Sequence, residues 1–329
     1  MLKPGSSVLV SILGHMRGAE ILIGFAALMV GSVAATGDTL APAAITAGGA
    51  TIDVTFAPGT TGLSRASILI WISNAADAVS AYFGRFPVQH ARILVRPVEG
   101  RSGVFHGTTY GGPRGALTRI SLGQGITQRQ LDDDWVMTHE LTHMAFPNLT
   151  DEKHEQHWME EGMATYIEPI ARAQAGQLSV ERVWGDMVRD MPQGLPMAGD
   201  QGLDRTPTWG RTYWGGALYW LLADVGIREQ TNNRKGLQDA MRGILSAGGN
   251  ILADWPVERV IEVGDKATEC TVLADLYQQM KATPVHTDLA DLWRRMGVRA
   301  EAGAVSFSDQ APLAEIRKAI TAPWKGDSP

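Results

Sequence analysis

Apolar and polar positions alternate along "ATIDVTFAP" (50–58), the pattern of a half-buried strand, and Pro58-Gly59 then turns the chain. The period lengthens over "SRASILIWISNAADAVSAYFGRF" (64–86), where apolar residues recur three and four apart, which predicts a helix ending at a glycine. Two more apolar runs, "ARILVRPV" (91–98) and "GALTRISLG" (115–123), predict strands, and the Gly-rich "EGRSGVFHGTTYGGPRG" (99–115) between them reads as a loop. A helix is then expected from Asp132-Asp133-Asp134, whose carboxylates would cap free N–H groups, as far as Pro147. The spacing predicts a second helix over about Lys153 to Ala175 and a loop rich in Gly, Pro and Asp over 192–207. A third helix is predicted from near Tyr213, and several more to about residue 321, including "DLADLWRRMGV" (288–298). Strands first and helices later indicate the α+β class.

Composition adds little to this picture except at the N-terminus. The chain has 329 residues, 44% hydrophobic and 19% charged, with net charge −6 and no Lys/Arg-rich run, which speaks against nucleic acid as a partner. Residues 1–35 contain Lys3, Arg17 and then "ILIGFAALMVGSVAA", an apolar run short for a membrane span that ends in small residues. They read as a signal peptide, or else an N-terminal membrane anchor, so an exported, periplasmic or extracellular protein is expected. Residues 36–50, rich in Ala, Gly and Thr, read as a linker. The lone Cys270 can form no internal disulfide; in the helical-looking "KATECTVLADLYQQM" it reads as a small core residue.

The chemistry concentrates in "DDDWVMTHELTHMAFPN" (132–148), where His139-Glu140-Leu141-Thr142-His143 fits H-E-x-x-H. On a helix, residues four apart share one face, so two imidazoles at that spacing can hold one zinc ion, with Glu140 beside them as a general base. Ordinary residue frequencies produce this pattern by chance in about one chain of this length per hundred. A catalytic zinc also needs a third protein ligand. A metzincin would carry Gly at 146 and His at 149; Phe146 and Leu149 stand there instead. A gluzincin draws a glutamate from the next helix, and "HWMEEGMATYIE" (157–168) offers Glu161 before Gly162, with Glu160 as its competitor. Gly162 is small enough to let this helix approach the metal helix closely. His154 and His157 read as surface histidines or extra ligands, and His106, in the Gly-rich loop, as a further candidate to reach the cleft.

"WMEEGMATYIE" resembles the "W-x-x-E-G-x-A-x-Y-x-E" segment of gluzincin aminopeptidases. "RTYWGGALYWLLADVGIREQTNNRKGLQDAMRGIL" (211–245) and "YGGPRGALTRISLG" (110–123) are similar to stretches of the glycyl aminopeptidase family, the latter to its Gly-Gly strand beside the active site. The resemblance covers roughly residues 88–300. It implies a thermolysin-like gluzincin catalytic domain, with a small mixed sheet packed on the zinc helix and a mostly helical C-terminal subdomain. The divisions would be a zinc peptidase α/β subdomain (51–210) and a helical subdomain (211–325).

It further implies Zn2+ held by His139, His143 and Glu161, with Glu140 as general base and Tyr213 steadying an oxyanion. Glu168 would match the acid ending the family segment, as a partner for a ligand imidazole or as a solvated helix glutamate. The implied activity is zinc-dependent hydrolysis of peptide bonds in a peptide or protein substrate. The alternative is an exported, inactive zinc protein that binds peptides. The sequence departs from the family after Gly111-Gly112, where Pro113-Arg114 replaces the glutamate that anchors a substrate's free amine. It also has few residues for the family's usual preceding β domain and none for its C-terminal peptide-binding module, so a reduced catalytic domain is expected.

Overall fold

The computed structural model describes residues 42–151, 155–301 and 304–323. The leader at 1–35 and His154 lie outside the described residues. From Ala41 onward the chain packs as one compact unit, and the parts read on either side of residue 210 share a single apolar core.

The first half builds a mixed five-stranded sheet in the order β1-β2-β3-β5-β4. Its strands are β1 (Ala43–Ala47), β2 (Ala50–Phe56), β3 (His90–Val98), β4 (Val104–Tyr110) and β5 (Ala116–Gly123). β2, β3 and β5 run parallel, while β1 and β4 pair antiparallel at the two edges. Ile52, Val54, Ile93, Val95 and Ile120 turn inward at period two and are fully buried. Helix α1 (Arg65–Phe83) joins β2 to β3 as the crossover a parallel pair requires. Its ends follow the residues: Ser64 accepts the Ser67 N–H, and Gly84 closes the helix at φ 80°.

Two stretches differ from the sequence reading. The 36–50 linker contains β1, because Ala43–Ala47 turns back on β2 through Gly48-Gly49, both at positive φ. The Gly-rich 99–115 loop contains β4, whose backbone pairs with β5 from Val104 to Tyr110. Local composition favoured a turn in both places, and a paired neighbour outweighed it.

The second half is helical. A short α2 (Gln128–Asp132) precedes α3 (Val136–His143), the H-E-x-x-H helix. Of the acidic triplet, Asp132 ends α2, and only Asp134 serves the start of α3, accepting the Met137 N–H at 3.1 Å. After α3 come β6 (Asn148–Leu149) and α4 (His157–Gln174), shorter than the 153–175 expected. Next are α5 (Val180–Asp190), a π-helical turn at Arg211–Gly215 that runs directly into α6 (Gly216–Gln230), and α7 (Leu237–Ser246). β7 (Asp254–Trp255) pairs with β6; α8 (Val257–Thr268), α9 (Val272–Met280), α10 (Leu289–Met296), the hairpin of β8 (Val298–Glu301) and β9 (Ala304–Phe307), and α11 (Ala314–Thr321) complete the unit. Cys270 lies between α8 and α9 rather than inside a helix, because Glu269 takes a left-handed conformation that ends α8.

Gly162 does its packing elsewhere than expected. It faces the start of α6, not the metal helix: a Cβ there would sit 2.3 Å from the Gly216 carbonyl carbon. A Cβ on Gly216 would in turn lie 2.2 Å from the Trp158 carbonyl oxygen. Two helices therefore cross backbone to backbone at this pair. Replacement of Gly162 by alanine is expected to force them apart and to destabilise the protein by about 1–3 kcal/mol despite alanine's better helix propensity. Chemical denaturation of G162A against the parent measures this directly.

Candidate metal centre

α3 is held between the sheet edge and the helices behind it. Met137 and Leu141 bury the side facing the core, His139 and His143 face Glu161 of α4, and Glu140 faces β4. Asp134 fixes the entry of the helix, since its carboxylate also accepts from Trp71 Nε1 at 3.2 Å. Burial pushes the Asp134 carboxyl up to about 6, against the hydrogen bonds that favour its charged form.

The structure brings His139, His143 and Glu161 together. Oε2 of Glu161 lies 3.2 Å from Nε2 of His139 and 3.5 Å from Nε2 of His143, and the two ring nitrogens are 3.2 Å apart. All three donor atoms fall within 4.8 Å of one another. The carboxylate is only 14% exposed. Burial pushes the Glu161 carboxyl up, but the facing imidazoles outweigh it and hold the group well below the usual carboxylate range. Burial likewise pulls His143 down, and the charge of Glu161 more than reverses this, raising it to about 9. Two nitrogen donors and one oxygen converging on one point form a set suited to a divalent transition metal, and they leave further coordination positions to non-protein ligands.

The competing carboxylate is engaged elsewhere. Glu160 accepts the Leu149 N–H at 3.1 Å and lies 3.3 Å from Nδ1 of His157. His157, taken from the sequence for a surface residue or extra ligand, also places Nε2 3.4 Å from Oε1 of Glu161, so it braces the two glutamates of α4. Its spacing of three and four from Glu160 and Glu161 was a signal for this.

Glu168 does not meet a ligand imidazole. It is buried against Arg172 at 3.0 Å, and burial pushes its carboxyl up to about 7 despite that cation. Seven residues of α4 carry it two turns away from Glu161. Nδ1 of His139 has no hydrogen-bond partner among the described residues.

Glu140 is positioned by β4, in the stretch whose glycines predict a loop. Oγ1 of Thr109 sits 2.8 Å from both the main-chain oxygen and Oε2 of Glu140, sharing its proton between them, and Thr118 backs it at 2.9 Å. Gly107 clears the space: a Cβ there would stand 2.5 Å from Cγ of Glu140. Alternation along the strand turns Thr108 to the opposite face, where His106 lies 3.3 Å from its hydroxyl, so His106 does not enter this site. Gly111 packs against the Ile251 carbonyl, and Arg114 is exposed.

Tyr213 reaches the centre from the π-helical turn. Its ring stacks on His139 with centroids 6.5 Å apart. Burial, then the charges of Glu161 and Glu140, raises its pKa above the ordinary value, so the proton stays on oxygen. The turn is anchored by Arg211, which pairs with buried Asp200 at 2.8 Å and donates to the Gly194 carbonyl. π-helical turns recur at functional sites because the extra residue aims a side chain that an α-turn would carry past.

No family model matches the chain, and no curated protein matches it. Among solved structures, it is similar to an aminopeptidase N family protein from Idiomarina loihiensis, at 16% identity and a TM-score of 0.59, over 78% of this chain and 49% of that one. It also matches an M1 zinc metallopeptidase from Deinococcus radiodurans at 15% identity and a TM-score of 0.48, over 76% of this chain and 52% of that one. The chain thus spans about half the length of these structures. The likeness to the first is one of fold: a small mixed sheet beside a set of helices.

Elemental analysis of the purified protein is expected to find about one zinc per chain. Replacement of His143 by alanine should lose that metal on dialysis, and loading of the parent should fall as pH drops, because the ligands must give up protons to the metal's advantage.

Proposed function

We propose that the protein is a zinc-dependent peptidase of the thermolysin-like gluzincin type, hydrolysing peptide bonds through a metal-activated water. The observation that carries this reading is the convergence of His139, His143 and Glu161 on one point with the carboxylate of Glu140 alongside. Zinc held by those three residues would supply a Lewis acid that polarises the scissile carbonyl and acidifies the attacking water.

The chain's own groups supply the rest. Glu140 takes the proton of the attacking water and passes it to the leaving amine. Thr109 fixes the rotamer of that carboxylate while leaving Oε1 without the threonine's hydrogen bond. Tyr213, kept protonated, donates its O–H to the oxygen that gains negative charge as water adds to the carbonyl. With no acid after Gly111-Gly112 to hold a free amine, the reading leaves cleavage inside a chain open alongside trimming of its end. The leader at 1–35 supports an exported protein, retained at a membrane if that segment is kept.

The test is a peptide library with free and blocked N-termini, assayed with zinc-loaded protein. Hydrolysis should depend on Glu140: E140Q is expected to keep its zinc and lose about 10²–10⁴-fold in kcat/KM. Y213F should lose about 10²-fold, mainly in kcat, since its hydrogen bond forms with the charge of the transition state. A parent protein that cleaves no peptide while holding zinc would sink this reading in favour of a zinc-containing peptide-binding protein.

A further inference from the structure

The two faces of the five-stranded sheet meet different surroundings. One carries Ile52, Val54, Ile93, Val95 and Ile120 into the core, toward α1 and α3. The other lies open among the described residues: Thr51, Thr55, His90, Arg96, Arg119 and Tyr110 are exposed, and Arg92, Leu94 and Leu117 are half-buried. Alternation puts all three arginines of the five strands on this open face. Arg92 and Arg96 stand about 13 Å apart along β3. Arg119 of β5 pairs in register with Leu94, between them.

None of these arginines meets a carboxylate among the described residues. Arg92 donates to the Arg114 carbonyl at 2.9 Å, and Arg119 lies over the Tyr110 ring at 5.2 Å. Asp53, the one acid in the five strands, is taken by His90 at 2.8 Å. Arginines on the helix surfaces are treated otherwise. Arg129 meets Asp133, Arg182 and Arg189 meet Asp186, Arg294 meets Asp291, and Arg295 meets Glu229. The chain as a whole carries −6, so an unpaired positive face runs against its prevailing sign.

The three guanidiniums do not converge. Arg92 and Arg119 are drawn to separate partners, and Arg96 stands further along the strand. This is not the geometry of a pocket for one phosphate or carboxylate. Charges spread over an open sheet match an extended anionic surface, to which each adds its own attraction. Tyr110, 46% exposed, pairs in register with Leu117, and Leu117 with Arg92. A phenol on an apolar body suits the headgroup layer of a bilayer. Position along the chain points the same way. Only residues 36–42 separate the edge strand β1 from the apolar run 21–35, and stretched out they reach at most about 25 Å.

We infer that the outer face of the sheet docks the protein on an anionic lipid surface, with phosphate headgroups meeting Arg92, Arg96 and Arg119. β4 separates the two roles, since Thr109 turns inward to Glu140 while Thr108 and Tyr110 turn outward. Docking in this way leaves the metal centre on the side of the sheet away from lipid. It does not depend on the peptidase reading.

The experiment sediments the full zinc-loaded chain with vesicles of phosphatidylcholine, or of phosphatidylcholine mixed with phosphatidylglycerol. The anionic vesicles should bind it more tightly, and high salt should remove the difference. Each of R92Q, R96Q and R119Q should weaken binding to the anionic vesicles roughly fivefold, and the triple variant about 100-fold. The triple variant R92K/R96K/R119K should keep most of it, because a lipid surface reads charge rather than the guanidinium fork. R182Q, which removes an exposed arginine on α5, should change nothing. The leader is the same in every variant, so its own attraction for lipid cancels in the comparison. Circular dichroism checks that each variant is folded. A folded triple Gln variant that binds anionic vesicles as tightly as the parent overturns the inference. So does tighter binding of polyglutamate or of a DNA duplex than of the anionic vesicles, which would assign the face to an acidic protein or to nucleic acid.

Discussion

A carboxylate and two imidazoles that share a desolvated pocket depend on one another. Glu161 is too buried to remain charged without a cationic neighbour, and His143 is too buried to carry a proton without Glu161. A divalent cation among them would supply the positive charge that a buried carboxylate needs. The rest of the structure serves to bring α3 and α4 close enough for this cluster to exist and to keep water from taking it apart.

Three separate elements meet this requirement. The β4 edge supplies Thr109 and the gap at Gly107, which together fix Glu140. The Gly162–Gly216 crossing sets α4 against α6 and so fixes the distance from Glu161 to the turn that carries Tyr213. The Arg211–Asp200 pair, buried at 3% and 2% exposure by residue and side chain respectively, pins that turn from behind. A buried pair of this kind adds little net stability but strongly disfavours arrangements that separate its charges, and here the arrangement it favours is the one that presents the phenol. Trp135, edge-on to His139, and Trp209, stacked on Tyr213, each remain half exposed to solvent.

Much of this was legible in the residues because the signals were local. The period of 64–86 and its closing Gly84 gave α1 to within a residue or two at each end. His139 and His143 share a face as soon as their segment is helical, and the residue before Gly162 was already the better match for the third donor. The errors came where local composition pointed one way and a partner distant in sequence decided another. "VFHGTTY" reads as loop until β5 offers it hydrogen bonds. Glu168 reads as a partner for histidine until Arg172, one turn on, takes it.

The amino-acid order by itself determined which side chains could donate to a metal and that two of them would lie on one helical face, because the helical period is a property of the backbone. It also determined where glycines would permit close approach, though not what would approach them. Only the tertiary structure decided that Gly162 meets Gly216, that Gly107 and Thr109 stand against Glu140, and that two tryptophans stay exposed around the site. Those outcomes depend on which elements become neighbours, and neighbours are chosen by packing the whole core at once, a sum that no local window of sequence contains.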